Sequence, residues 1–197
     1  MKHFSAVLFL ICSLCFSSCI DFKTKKSTEE TDMEDYNTVV VPDAYSVEIP
    51  KFMRSTTGLN EEASLQYQNI FKETYVIVID EPKSGFVDIL KEVGQFDENL
   101  SLVQNYREIQ MQLLSSTMYI SHQSEPKPLK INGLDAEMVE VDATVDGIDE
   151  GISYLLTFID GTDDAYMMMA WTLQSKKDEH KKTFETIAKS FKLMENQ

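Results

Sequence analysis

In the second half of the chain, apolar and polar positions alternate in three runs and then change to a helical period. After the turn signal Asn132-Gly133, Leu134, Ala136 and Met138 alternate with Asp135 and Glu137, and a second apolar set, Val139, Val141, Ala143 and Val145, follows out of phase. A one-residue slip sends every later side chain to the other face. The shift between Met138 and Val139 therefore predicts either a bulge or a strand covered on both sides. Asp146-Gly147 opens a reversal that runs to Gly151. Ile152, Tyr154, Leu156 and Phe158 then share a face, and Asp160-Gly161-Thr162-Asp163-Asp164 turns the chain again. In the third run Ala165, Met167, Met169, Trp171 and Leu173 alternate with Tyr166, Met168, Ala170 and Thr172, so both faces are largely apolar. This pattern predicts a central strand with cover on each side. Ser175 is the expected N-cap of a closing helix, with Asp178 completing a capping box. Phe184, Ile187, Ala188 and Phe191 recur there at helical spacing, opposite Lys181, Lys182, Glu185 and Lys189.

Upstream, Tyr45-Ser46-Val47-Glu48-Ile49 alternates and stops at Pro50, as an edge strand does, and a short strand is expected between Phe52 and Thr56. Leu65, Tyr67 and Asn69, followed by Tyr75 to Ile79, predict a hairpin whose second strand is well buried and ends at Pro82. Ser84 is the expected cap of a helix carrying Phe86, Ile89, Leu90 and Val93, with Gly94 near its end. A second helix starts at Ser101 with Gln104 as its capping-box partner and presents Leu102, Tyr106, Ile109 and Leu113. Met118 to Gln123 returns to strand before Pro126 and Pro128. Strands, two helices, more strands and a helix define an α+β fold, read here as an α/β/α sandwich with a mostly antiparallel central sheet over residues 43–197.

The N-terminus changes the picture from a free domain to a tethered one. In residues 1–18, Lys2 precedes an apolar core from Ala6 to Phe16, and Ser17-Ser18 lead to Cys19, the layout of a secretory signal too short for an ordinary membrane span. Phe16-Ser17-Ser18-Cys19 resembles a loose bacterial lipobox, with Phe16 where the strict box has an aliphatic residue. Cys19 is accordingly the expected lipidation site and mature N-terminus. Cys12, Cys15 and Cys19 are the only cysteines, so none remains for a disulfide once the signal is cut. Residues 19–42 are then the lipidated cysteine and a tether, because Ile20 to about Thr38 offers little to bury; its expected root-mean-square span is about 25 Å. Ile20, not Asp, follows Cys19, so the enteric inner-membrane retention signal is absent and the outer membrane is the expected address.

Charge and candidate chemistry narrow the function. A formal charge of −15 repels phosphate backbones, so nucleic acid is not an expected partner. Asp146, Asp149 and Glu150, and the 160–164 loop, carry oxygen ligands without EF-hand spacing, and the meander places them at opposite ends. Met167-Met168-Met169 puts only Met167 and Met169 on one face, as core packing requires. His180 is expected to be exposed among Asp178, Glu179, Lys181 and Lys182, and His122 to sit near a strand end. There is no nucleophile elbow, phosphate-cradling glycine loop or pair of histidines at metal spacing. No catalytic residue, metal or cofactor is expected. Trp171, Phe158, Tyr154 and Phe184 are the aromatics available to a ligand cavity between sheet and helix.

Tyr45-Ser46-Val47-Glu48-Ile49-Pro50, Ile131-Asn132-Gly133-Leu134-Asp135-Ala136 and Ser190-Phe191-Lys192 together resemble the PsbP-like family (PsbP, Mog and DcrB) over residues 43–194. The resemblance implies an α/β/α sandwich acting as a non-catalytic accessory or binding module. The expected protein is a lipoprotein of the bacterial envelope, held at the membrane by its N-terminal lipid, that docks a protein partner through its sheet edge or acidic loops. The alternative is a carrier of a small apolar ligand held between sheet and helices.

Overall fold

The expected meander is the centre of the structure: residues 134–144, 152–160 and 164–173 follow one another, each antiparallel to the next, in unbroken register. The computed structural model describes residues 35–194. In chain order the elements are β1 (Tyr36–Val41), β2 (Tyr45–Pro50), β3 (Arg54–Ser55), β4 (Leu65–Asn69), β5 (Thr74–Pro82), α1 (Lys83–Glu92) and α2 (Leu102–Thr117). They continue with β6 (Tyr119–Gln123), β7 (Lys127–Ile131), β8 (Leu134–Thr144), β9 (Ile152–Asp160), β10 (Asp164–Leu173), α3 (Lys177–Lys189) and β11 (Lys192–Leu193).

The large sheet runs β3-β4-β5-β10-β9-β8-β6, with β7 sharing the outer edge of β8. β7 pairs with β8 at residues 134–138 and β6 at residues 141–144; between them the N–H of Ser124 donates to the Glu140 carbonyl (2.9 Å). The Ser124 hydroxyl returns the contact by accepting from the Glu140 N–H (2.9 Å). α1 and α2 cover one face of this sheet, while α3 and a small sheet of order β1-β2-β11 cover the other. The fold is α+β, an α/β/α sandwich around a mostly antiparallel sheet.

The slip in β8 comes from burial on both faces, and its pairing with β9 contains no bulge. Ala136 and Met138 enter the core beneath α3, and Val139, Val141 and Ala143 enter the core beneath α2. The polar positions that break the alternation are covered as well: Glu137 is reached by Arg107 of α2, and Glu140 and Asp142 by lysines of α3. The irregularity lies in the neighbouring strand, between Ile120 and His122 of β6.

Several expected details differ. β2 is the middle strand of the small sheet, not an edge strand, because residues 36–41, read as tether, form β1 against it; Thr38-Val39-Val40-Val41 is a β-branched run that suits a strand. α3 follows a 3-10 turn at Gln174–Lys176 and has no side-chain cap, since the Ser175 N–H donates to Glu150 Oε1 (3.3 Å), so the Ser175–Asp178 box does not form. α1 starts one residue before Ser84 and is also uncapped by a side chain, and Ile89 and Val93 are exposed. The Ser101–Gln104 box does form. The buried stripe of α2 is nevertheless Val103, Tyr106, Arg107, Gln110 and Met111, leaving Leu113 exposed. The rotation turns Arg107 and Gln110 towards Glu137 and Glu81 of the sheet.

β7 is an extra strand at the edge, where Pro128 is tolerated. Asn132 (φ 48°) and Gly133 (φ 91°) make the two-residue turn into β8, a left-handed pair that favours this dipeptide. The Asn132 side chain donates from Nδ2 to the Phe191 carbonyl (2.7 Å), fastening the turn to the chain just beyond α3. Residues 1–18 and Cys19, the expected lipidation site, lie outside the described residues.

Candidate functional site

The free edge of the small sheet faces an open groove. β1 pairs with β2 alone among the described strands, and β3 and β4 stand across from its outer side. Two adjoining hollows of about 300 Å³ and 280 Å³ run between them, and Val39 and Tyr67 line both. Ile49 and Met53 contribute to the first hollow, Val41 and Leu65 to the second. Thr38 donates from Oγ1 to Glu48 Oε1 (2.6 Å), tying β1 to its inner neighbour. A strand edge with an adjoining groove can take an extended peptide, whose backbone pairs with the edge while alternate side chains enter the hollows. Long exposed edges are otherwise avoided because they template aggregation. The alternating apolar residues of β4 were legible in the sequence; the edge was missed because β1 was assigned to the tether.

The aromatics grouped as a possible cavity lining do not converge. Phe158, Tyr154 and Trp171 belong to the core beneath α2, with Trp171 stacked on Tyr75 (5.3 Å between centroids), whereas Phe184 lies in the core on the other face. The hollow between Tyr154 and Phe184 is about 20 Å³, room for about one water.

The acidic loops stand at opposite ends of the meander, as expected. Asp160 pairs with Lys83 at 2.5 Å, and Glu150 accepts from Ser175. Burial and the nearby carboxylates Asp80 and Asp163 push the Asp164 carboxyl up. Among the described residues no group of three His, Cys, Asp or Glu side chains is placed to hold a metal ion. Met167 and Met169 pack in one core and Met168 in the other.

His122 is exposed on β6, but His180 is 4 % exposed, against the expectation from its charged neighbours in sequence. Position 180 lies one turn before Phe184 on the buried face of α3, and its ring tilts against that phenyl (6.1 Å). Burial holds its pKa below the ordinary value, Glu179 opposing and the charges of Lys72 and Lys176 assisting. A depressed folded pKa means that the neutral ring's stabilisation is complete above about pH 6.5 and is lost as pH falls through the folded value. The melting temperature is expected to decline between pH 7 and pH 5, and His180→Phe to flatten that slope; equal slopes in the two proteins would assign it to other groups.

A second charged cluster pins α3 across the sheet. Lys181 Nζ lies 2.6 Å from Glu140 Oε1, and Lys177 Nζ bridges Glu140 Oε2 (3.4 Å) and Asp142 Oδ1 (3.0 Å). Burial alone would raise both carboxyl pKa values, but the hydrogen bonds and charges of the lysines, with Ser153 on Asp142, hold both below the ordinary carboxylate range. The stabilisation is therefore present above about pH 4 and fades as pH drops below it. Lys177→Met is expected to cost about 1 kcal/mol at pH 7 and to move the acid-unfolding midpoint upward. Circular dichroism against pH measures both, and an unmoved midpoint would show that the pair is screened.

The site is thus a strand edge and groove on an α/β/α sandwich, and the fold is PsbP-like. Solved structures with similar architecture include cyanobacterial PsbP (CyanoP) from Synechocystis sp. PCC 6803 at 13 % identity and TM-score 0.53, the match covering 85 % of this chain and 98 % of that one. The Saccharomyces cerevisiae Ran-binding protein Mog1p matches at 9 % identity and TM-score 0.51, over 80 % of this chain and 95 % of its own. LpqN of Mycobacterium tuberculosis, described as involved in cell envelope biogenesis, matches at 8 % identity and TM-score 0.50, over 81 % and 91 %. No family model matches the chain, and no curated protein matches it in sequence. No described helix is long and apolar enough to cross a membrane.

Proposed function

We propose that this chain is a non-catalytic lipoprotein of the bacterial envelope, anchored through Cys19 in the outer membrane, that docks an extended segment of a protein partner along β1. The observation that carries the reading is the β1 edge, unpaired among the described strands, beside a groove of about 300 Å³. The signal-like residues 1–18 and the position of Cys19 support anchorage. The structural likeness to a Ran-binding protein and to an envelope protein supports a docking module over an enzyme. The small-ligand reading gains no support from the hollow beneath α3, which is too small for a lipid chain.

The test places a photo-cross-linking amino acid at Val40, an exposed position of β1, in cells. The expected product is an adduct with one envelope protein, formed with Cys19 intact and lost in Cys19→Ala. A Val40→Lys change, which blunts an edge without touching the core, is expected to abolish capture of that protein by the tagged chain. Absence of any protein adduct at Val40 would sink the docking reading, and an unmodified Cys19 in the mass spectrum would sink the anchor.

A further inference from the structure

The turn between β4 and β5 holds an apolar tip away from the protein. Phe71 is 90 % exposed and Ile70 59 %. The backbone beneath them is nonetheless fastened on several sides. Asn69 Oδ1 accepts from the N–H groups of Phe71 (3.0 Å) and Lys72 (2.9 Å), and its Nδ2 donates to the Phe52 carbonyl (2.7 Å). The Lys72 ammonium stands 5.0 Å over the Phe52 ring, and Lys176 donates to Glu73 Oε2 (2.6 Å). Glu73 closes the turn with φ 57°. A tip fixed in this way loses little freedom when it is covered, which favours binding. Two adjacent large apolar side chains left in water gain free energy from any apolar surface that receives them.

The tip shares a corner with the point where the chain enters the described domain. The Lys51 N–H donates to the Asp35 carbonyl (2.8 Å), and the next residue, Phe52, is the one that Asn69 and Lys72 hold. Residues 20–34 are all that separates Cys19 from this corner, a reach of at most about 50 Å. On a chain of net charge −15, the corner also gathers Lys51, Arg54 and Lys72, with Asp35 beside them and Glu73 paired to Lys176. An aromatic tip at a corner that also carries lysine and arginine suits a bilayer interface, where the ring enters below the headgroups and the cationic groups meet phosphates.

We propose that Ile70 and Phe71 insert into the bilayer to which the chain is tethered, with Lys51, Arg54 and Lys72 against lipid phosphates. This inference rests on anchorage through Cys19 and adds the contact that orients the domain. β1 starts in this corner and runs away from it, so insertion presents the groove at a fixed inclination to the membrane instead of letting the domain tumble.

The experiment puts benzophenone-alanine at Phe71 or, as a control, at Lys130, an exposed position at the other end of the large sheet, in the full-length chain in cells. After irradiation, peptide mass spectrometry reads the adduct at each position and, on a separate peptide, the lipid on Cys19. The expected result is a phospholipid adduct at 71 and none at 130. A protein adduct at 71, no adduct there, or equal lipid adducts at both positions overturns the proposal. A lipid-free Cys19 overturns the anchoring reading whatever is found at 71, so the two failures are distinct. Phe71→Ser is expected to leave the melting temperature unchanged and to lower phosphatidylglycerol adducts from a benzophenone at Ile70 several-fold. An unchanged yield at Ile70 would also count against insertion.

Discussion

Phe191→Ala is expected to be the most destabilising single truncation in the chain, at about 3–5 kcal/mol. Phe191 is fully buried just past α3, with its ring stacked on Tyr45 of β2 (4.8 Å, 26°) and tilted against Tyr166 of β10 (4.9 Å). Tyr45 in turn meets Tyr166 edge-on at 5.4 Å, so three rings from β2, β10 and the segment after α3 share one contact. Removing the central ring leaves a cavity that the other two cannot fill, because Tyr45 is held by its hydroxyl contact with Ser64 Oγ (2.7 Å). The Phe191 carbonyl also receives Asn132, so the damage reaches the β7–β8 turn. The melting temperature should fall on the order of 10 °C, and Phe191→Leu should recover more than half of it. A loss below about 1 kcal/mol in urea denaturation would mean that the small sheet does not fold as one unit with the large sheet.

The second large effect is expected from Arg107→Met. Arg107 Nε lies 3.2 Å from Glu137 Oε2, with side-chain exposures of only 10 % and 6 %. Removing the guanidinium strands a carboxylate beneath α2, a loss of about 3–5 kcal/mol. The double change Arg107→Met/Glu137→Met removes both charges and is expected to regain most of that loss, since buried pairs often contribute little net stability over apolar replacements. The double-mutant cycle separates the pair from the exposed Arg107–Glu108 contact, which stays below about 1 kcal/mol. An Arg107→Met cost as small as that of the exposed Lys189→Met would show that water reaches Glu137.

The meander and its helix were legible because β9, β10 and the stripe of α3 follow simple periods. What failed to read correctly failed for definable reasons. Phe184, Ile187, Ala188 and Phe191 mark the buried side of α3, yet His180 continues that side one turn earlier, where local charge suggested water. α2 was rotated in the reading because its inward face carries Arg107 and Gln110, whose partners Glu137 and Glu81 lie far away in sequence. The Ser101 box was read correctly, whereas Ser84 falls inside α1 and the Ser175 N–H is taken by Glu150, a partner far away in sequence. The candidate site was the least legible part. An edge is a property of strand order, and a tip such as Phe71 is distinguished from core phenylalanines only by what surrounds it.

β2 lies between the first and the last of the described strands, so its two neighbours are far apart in sequence. Tyr45 and Ser46 wait for Leu193 and Lys192, and the Glu48 N–H waits for the hydroxyl of Ser190. Closing so long a loop is slow, and until it closes the apolar rings of Tyr45 and Tyr166 lack their third member. Without the Lys192–Leu193 pairing one edge of β2 stands bare, an unpaired strand open to association with other chains.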